Sequence, residues 1–228
     1  MKPVYLFALI LTGLCIGSEI LFLTLRRRGR HGFGLAFKLL ASAGFCTITA
    51  AASAGSAFPF AYLVLWGQLL GFAGDALLGT RKLLPHLHTL LFVVGALAFA
   101  LGHCAYMGAV SHLTPFSAPL VLVIFLLLLY LCVVLAKRTG FDQCSLHTAG
   151  LLYVGLEAFL CAMSLAAAVR VQSPGSCLLT GGAMLFLLSD NLLCAHSFGT
   201  WKTRLVDALL HATYLGAQLL ISWSVFWL

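Results

Sequence analysis

Charged side chains are scarce in this chain of 228 residues, where Asp, Glu, Lys and Arg together make up 8%. Soluble domains carry about 25% charged residues, so the chain lacks the side chains needed for a water-exposed surface. Hydrophobic residues account for 62%, which predicts a polytopic, all-α membrane protein lying almost entirely in the bilayer. A separate soluble domain has no room here, and we expect one integral-membrane domain over residues 1–228.

The signature motifs of several enzyme classes are also absent. The chain has no Gly-x-Ser-x-Gly elbow, no His-Glu-x-x-His, no phosphate-binding loop and no dinucleotide fingerprint. This disfavours a serine lipase, a zinc protease and an ATP-driven pump. The eight Cys lack paired zinc-site spacing, and we interpret them as small core residues rather than disulfides or ligands. We expect neither a metal nor a cofactor.

Eight apolar runs are long enough to cross a bilayer, which takes about 20 residues. They lie near 3–25, 33–54, 59–79, 90–110, 118–136, 147–169, 176–195 and 205–227. Basic residues cluster in alternate links, at 26–30, 81–82, 137–138 and 202–204. Positively charged links stay cytoplasmic, so both termini are predicted to face away from the cytoplasm. The net charge of +7 follows from this pattern, and we expect no nucleic acid partner.

Two carboxylates lie inside apolar runs with similar neighbours. Asp75 follows Gly74 in the third run, Asp190 follows Ser189 in the seventh, and Leu-Leu comes two residues later in both. A carboxylate in an apolar segment is costly, so its default interpretation is functional. The predicted topology places both about one turn inside the cytoplasmic end of their helix. We therefore predict a shared site; a structural pair of interhelical hydrogen bonds is the alternative.

Two neighbouring carboxyls in an apolar site ionise unequally. The protonated one can donate a proton and the ionised one can accept a proton from water, which predicts a general acid–base dyad suited to hydrolysis. Lys38 in the second run is the only Lys or Arg clearly within a span, and we predict that it is a counter-ion for one of the aspartates.

Other polar residues in the spans are candidates for binding substrate or supporting the dyad. They are Gln68, His103, Tyr106, Ser189, Asn191, His211, Tyr214 and Gln218. A satisfied polar seam between helices is the alternative for the members on the fourth and eighth runs. Glu157 lies nearer mid-membrane by its spacing and is a secondary candidate, whereas Glu19 lies within reach of the Arg cluster and is interpreted as structural.

The fourth and eighth runs share the pattern His-x-x-Tyr-x-Gly-Ala, and each follows a run that carries an Asp motif. This order indicates a parallel repeat of runs one to four against runs five to eight, as in some transporter folds. Chance similarity is the alternative.

These motifs resemble those of the YhhN-like membrane proteins, which include the animal lysoplasmalogenases. The family pattern has Gly-Asp in helix three, Phe-x-x-x-His-x-x-Tyr in helix four, Ser-Asp in helix seven and Tyr-x-x-x-Gln in helix eight, with a Lys in helix two. The matching residues here are Gly74-Asp75, Phe99 to His103 to Tyr106, Ser189-Asp190, Tyr214 to Gln218, and Lys38. Each motif is short, but their joint order and spacing are specific.

The resemblance implies a hydrolase that cleaves the vinyl ether bond of lysoplasmalogens without a cofactor, with Asp75 and Asp190 as catalytic residues. The implied partners are a lysophospholipid or ether-lipid substrate and membrane lipids, in a bacterial inner membrane or an endomembrane. Two other classes stay open. One is a small transporter of a lipid or solute, which Glu157 and the His/Tyr pairs support, and the other is an intramembrane aspartyl protease, which also uses two membrane aspartates.

Overall fold

The computed structural model describes residues 3–54, 59–115, 117–143 and 146–228, and they are mainly α-helical. The helices are α1 Pro3–Arg27, α2 His31–Ser53, α3 Pro59–Thr80, α4 His88–Ser111, α5 Ala118–Thr139, α6 His147–Val171, α7 Pro174–Ser197 and α8 Arg204–Ser224. All eight are long and apolar enough to cross a membrane. The predicted all-α, multi-pass membrane fold is thereby confirmed.

Local capping sets several of the helix ends. α7 begins two residues earlier than predicted because Ser173 caps it, accepting a hydrogen bond from the backbone N–H of Ser176. Pro174 then occupies the first turn, where its missing N–H is not needed. Thr203 caps α8 in the same way through the N–H of Val206, at 3.2 Å. α7 continues to Ser197, two residues beyond the predicted end.

The chain divides into two compact units, residues 1–109 and residues 110–228. We call them the N-terminal unit and the C-terminal unit. In the N-terminal unit α1 packs on α2 and α2 on α3, and in the C-terminal unit α5 packs on α6, α6 on α7 and α7 on α8. The starts of α5 to α8 (118, 147, 174 and 204) lie 115 or 116 residues after those of α1 to α4 (3, 31, 59 and 88). Duplicated halves would have such a spacing, and the repeat itself stays a prediction.

The exposed helix faces are apolar and the interior is partly polar. On α5, Val123 is 67% exposed and Leu127 is 58% exposed, whereas the side chains of Ser42, Gln68 and Gln218 are fully buried. This distribution is typical of a protein whose surroundings are lipid, because polar groups in a span turn towards the protein interior.

The cysteines only partly match their predicted role. The seven described cysteines are free thiols, and Cys15, Cys46, Cys132 and Cys161 are buried. Cys104 and Cys177 are exposed, so the prediction of a core position is wrong for these two. A thiol behaves as a small hydrophobe, so an apolar helix face tolerates it. Cys144, the eighth cysteine, lies outside the described residues.

α3 and α4 approach closely through glycine. A Cβ on Gly67 would collide with the ring of Tyr106, and a Cβ on Gly102 would lie 2.9 Å from the carbonyl oxygen of Gly67. The Gly67-x-x-x-Gly71 spacing therefore begins at a site of close helix packing, as such small-residue patterns do in membranes.

Candidate functional site: two buried acidic clusters

Asp75 is held against α2 by two side chains. It lies a little over one turn before the end of α3 and is 7% exposed. The Ser42 hydroxyl donates a hydrogen bond of 2.5 Å to Asp75 Oδ2, and Lys38 Nζ lies 3.7 Å from Oδ1. Lys38 and Ser42 are one helical turn apart, so both side chains point from the same face of α2. Lys38 is thus a counter-ion of Asp75.

A second carboxylate shares this lysine. Lys38 Nζ lies 3.3 Å from Glu19 Oε1 on α1, and both side chains are buried. Sequence analysis associated Glu19 with the Arg cluster and missed its contact with Lys38. α1 and α2 form an antiparallel hairpin around Gly29, whose φ is +75°. Counting about equal distances back and forward from this turn would have placed Glu19 opposite Lys38.

Gln68 lies two turns before Asp75 and faces the same neighbour. Its Oε1 accepts a hydrogen bond of 2.5 Å from the Thr49 hydroxyl of α2. Thr49 follows Ser42 by two turns, so the two hydrogen bonds share one antiparallel register between α2 and α3. Gln68 therefore continues the polar seam of Asp75 along the helix pair.

The glycine before Asp75 contacts the predicted motif on α4. A Cβ on Gly74 would lie 2.6 Å from Cε2 of Phe99, so the ring occupies the space that a larger residue would need. His103 and Tyr106 lie further along α4, are each 1% exposed, and have ring centroids 6.2 Å apart. Both are therefore interior residues of the N-terminal unit.

Asp190 lies against a different set of groups. It interacts electrostatically with the Glu157 carboxyl and the Tyr153 hydroxyl, both on α6. Asp190 is 8% exposed and Glu157 is 1% exposed. Tyr153 and Glu157 are one turn apart, as are Lys38 and Ser42 on α2. In the C-terminal unit the aspartate therefore lies beside a carboxylic acid and a phenol. In the N-terminal unit it lies beside a cation and an alcohol.

Glu157 was predicted to lie nearer mid-membrane than the aspartates, and this stays a prediction. α7 extends to Ser197, so Asp190 lies about two turns inside its helix rather than one. Glu157 lies nearly three turns after the start of α6 at His147. Sequence analysis missed Tyr153, although its place four residues before an intramembrane acid was a usable signal.

The residues beside Asp190 secure α7 to other helices. The Ser189 hydroxyl donates a hydrogen bond of 3.0 Å to the carbonyl of Leu210 on α8. The Asn191 amide donates to its own helix at Leu187 and lies 3.5 Å from Cys132 Sγ on α5. Three consecutive residues of α7 therefore contact three different helices.

The three polar candidates on α8 differ in burial. Tyr214 and Gln218 are buried, and Gln218 Nε2 donates a hydrogen bond of 3.4 Å to the Tyr214 hydroxyl. Tyr214 also packs edge-on against Phe186 of α7 and interacts electrostatically with Tyr153. His211, like Asp207 one turn before it, is only half-buried. Tyr214 therefore adjoins the group formed by Tyr153 and Asp190.

The Asp75 cluster consists of Asp75, Lys38, Ser42 and Glu19, and the Asp190 cluster consists of Asp190, Tyr153 and Glu157. The two clusters offer complementary chemistry. A carboxylate beside an ammonium is stabilised as the anion, and it can accept a proton or stabilise a cation. Two adjacent carboxyls cannot both ionise easily, so such a pair retains a proton that it can donate. Within the described ranges, no group of three or more His, Cys, Asp or Glu side chains is placed to hold a metal ion.

Comparison with known families finds the YhhN family. The model of the YhhN family matches residues 33–225, which run from α2 to the end of α8 and include both aspartates. Comparisons with curated proteins and with solved structures returned no significant match.

Proposed function

Because the chain belongs to the YhhN family of membrane proteins, we propose that it is a lysoplasmalogenase-like hydrolase. It cleaves the vinyl ether bond of a lysolipid to give a fatty aldehyde and a glycerophospho-base. The observation that carries the proposal is the contrast between two buried aspartates: Asp75 lies beside a lysine, and Asp190 beside a second carboxyl. Acid–base hydrolysis uses one carboxyl of each kind. The proposal that both aspartates act on one substrate rests on the sequence motifs.

Asp190 supplies the proton in the first step. A vinyl ether is protonated at carbon, at the position β to the oxygen, and becomes an oxocarbenium ion. Proton donation by a positioned acid contributes typically 10²–10⁴-fold to such a rate. The Glu157 carboxyl beside Asp190 supports this role because a pair of adjacent acids retains a proton.

Asp75 acts in the second step. Its carboxylate stabilises the oxocarbenium ion and accepts a proton from the attacking water. Lys38 and Ser42 support this role because they favour and orient the ionised carboxyl. Water addition gives a hemiacetal, which collapses to the aldehyde and the glycerol hydroxyl. The proton consumed from Asp190 equals the proton released to Asp75, and its return restores the starting state.

The substrate class follows from the same chemistry. An enzyme embedded in lipid meets an amphiphile whose headgroup stays at the surface and whose first linkage lies just below it. A single-chain lysophospholipid or a related ether lipid fits this description, and other membrane lipids surround the protein. The remaining polar candidates, Gln68, His103, Tyr106, Ser189, Asn191, His211, Tyr214 and Gln218, are proposed to bind substrate or support the aspartates.

The experiment is aldehyde trapping with purified protein in D₂O. Protonation at carbon predicts one deuterium next to the aldehyde carbonyl and, in ¹⁸O-water, no label in the glycerophospho-base. The matched alkyl-ether lysolipid is the control, and it should not react because it has no double bond to protonate. Cleavage of the alkyl ether at an equal rate, or ¹⁸O in the glycerophospho-base, would rule out this mechanism.

Transport of a small lipid or solute is a second candidate. It is favoured by the continuation of buried polar contacts beyond the aspartates, through Thr49–Gln68 in one unit and Ser164–Thr180 in the other. Proteoliposomes separate the two functions: a transporter moves intact lysolipid across the bilayer without aldehyde formation. An intramembrane aspartyl protease would instead cleave peptide substrates in the same preparation.

A further inference from the structure

The arginines around the turn between α1 and α2 differ in burial. Arg27, Arg28 and Arg30 are exposed, whereas Arg26 is half-buried. A basic link fixes the orientation of a membrane protein by its charge, and this role needs no buried contact. The position of Arg26 therefore indicates a role beyond topology.

The guanidinium of Arg26 is stacked on an aromatic ring. Its Cζ lies 5.1 Å from the centroid of Phe22, one turn earlier on α1, and Phe22 is buried. α2 approaches closely at this point, because a Cβ on Gly34 would lie 3.6 Å from the backbone nitrogen of Arg26 and from Cδ2 of Phe22. A cation within about 6 Å of a ring centroid is attracted to the ring. The stack therefore holds the guanidinium in place.

The same ring contacts the cation of the Asp75 cluster. Lys38 Nζ lies 5.8 Å from the centroid of Phe22 and 3.7 Å from Asp75 Oδ1. Arg26 lies seven residues, or about 10 Å, nearer the end of α1 than Glu19, which contacts Lys38. Arg26 therefore lies on the path from the end of the helix hairpin to the Asp75 cluster.

The chemistry of a stacked guanidinium suits a phosphate ester. Stacking engages the face of the group, whereas its five N–H donors lie along the edge, in a fork that matches two phosphate oxygens. Lys38 is a poorer candidate because it already contacts two carboxylates. In a lysophospholipid, glycerol separates the phosphate from the first chain linkage. A phosphate at Arg26 would direct that linkage inward, towards Asp75.

We propose that Arg26 is a substrate-binding residue that pairs with the phosphate of a lysophospholipid headgroup and makes the site selective for phosphate-bearing lipids. This inference rests on the proposed function and names the part of the substrate that is recognised. The family match begins at residue 33, so Arg26 lies outside it.

Binding without turnover tests the proposal. An alkyl-ether lysophospholipid and the alkylglycerol with the same chain are titrated against protein in maltoside detergent, which carries no phosphate, and thermal stabilisation is measured. Wild type should bind the lysophospholipid about tenfold or more tightly than the alkylglycerol, as a hydrogen bond to a charged group implies. Arg26→Gln should bind the two equally, and Arg26→Lys should regain part of the difference.

The matched control is Arg28→Gln, which removes the same charge from an exposed position in the same link and should retain the preference. Arg26→Gln that keeps the wild-type preference, or Arg28→Gln that loses it equally, would overturn the proposal. Unchanged binding of the alkylglycerol shows that a variant is folded. Inorganic phosphate that displaces the lysophospholipid at equal concentration would instead assign the site to free phosphate and overturn its assignment to a headgroup.

Activity gives a second readout. In Arg26→Gln, kcat/KM for a lysoplasmalogen should fall about tenfold or more, and kcat/KM for the alkenylglycerol without phosphate should stay unchanged. A structural role of Arg26 would lower both equally. The two proposals fail separately: a wild type that releases aldehyde from neither substrate refutes the proposed function, and the binding comparison still decides whether Arg26 recognises the phosphate.

Discussion

The two units place an aspartate of their third helix against a pair of side chains one turn apart on their second helix. In the N-terminal unit the pair is Lys38 and Ser42, and in the C-terminal unit it is Tyr153 and Glu157. The same arrangement therefore places a positive charge next to one aspartate and a second acid next to the other. Similar backbone positions can thus hold two carboxyls in different protonation states, as acid–base chemistry needs.

The largest effect is expected from removing the cation of the N-terminal unit. Lys38→Met leaves Glu19 and Asp75 buried without their shared ammonium, and losing one partner of a buried ion pair costs about 3–5 kcal/mol. Thermal unfolding in detergent should show this loss. The control Lys137→Met removes an exposed cation at the end of α5 and should change stability little.

A double variant that also removes the Glu19 carboxylate tests whether Lys38 serves both acids. Adding Glu19→Gln to Lys38→Met should recover part of the lost stability, because one fewer carboxylate then lacks its cation. If the two losses simply add, Lys38 does not serve both acids.

A smaller effect is expected from the alcohol next to Asp75. Ser42→Ala removes a hydrogen bond to a charged group, which contributes about 1.5–3 kcal/mol. Aldehyde release should also fall, because the carboxylate loses part of its orientation. Thr47→Ala on the same helix is the control, since the exposed Thr47 hydroxyl donates to the carbonyl of Ala43 on its own helix. Equal stability and activity in Ser42→Ala and Thr47→Ala would contradict this role.

The residues preceding the aspartates should differ in a predictable way. Gly74→Ala forces a methyl group against the Phe99 ring and should cost about 1–3 kcal/mol through overpacking. Ser189→Ala only removes a hydrogen bond to Leu210 and should cost about 1 kcal/mol. Gly74→Ala combined with Phe99→Leu should regain stability if the clash is the cause. Stability is read from unfolding midpoints, and a larger loss in Ser189→Ala would reverse the expected order.

The sequence predicted the fold because its signal is strong: eight long apolar runs with few charges leave little choice of architecture. Lys38 could be recognised as a counter-ion because it is a lone cation within a span. The electrostatic interaction between Glu157 and Asp190 could not be predicted, since it depends on the register of α6 against α7. An error of half a turn in a helix end is enough to separate two groups that are in fact neighbours.

The packing contacts between helices could not be predicted from the sequence either. The sequence around Gly74 does not show that the Phe99 ring fills the space beside it, because that contact joins two helices and residues 25 apart in the chain. The polar contact of Glu19 with Lys38 was recoverable by counting from the turn at Gly29. Pair contacts between helices follow from register, which composition and periodicity along one helix do not fix.

The most direct test of the central claim is aldehyde release from a lysoplasmalogen by purified protein, with Asp75→Asn and Asp190→Asn measured beside wild type. We predict release by wild type and a loss of about 10²-fold or more in each variant, the usual contribution of a general acid or base. Unfolding midpoints near that of wild type would show that the variants are folded. Folded variants that both release aldehyde at the wild-type rate would contradict the account.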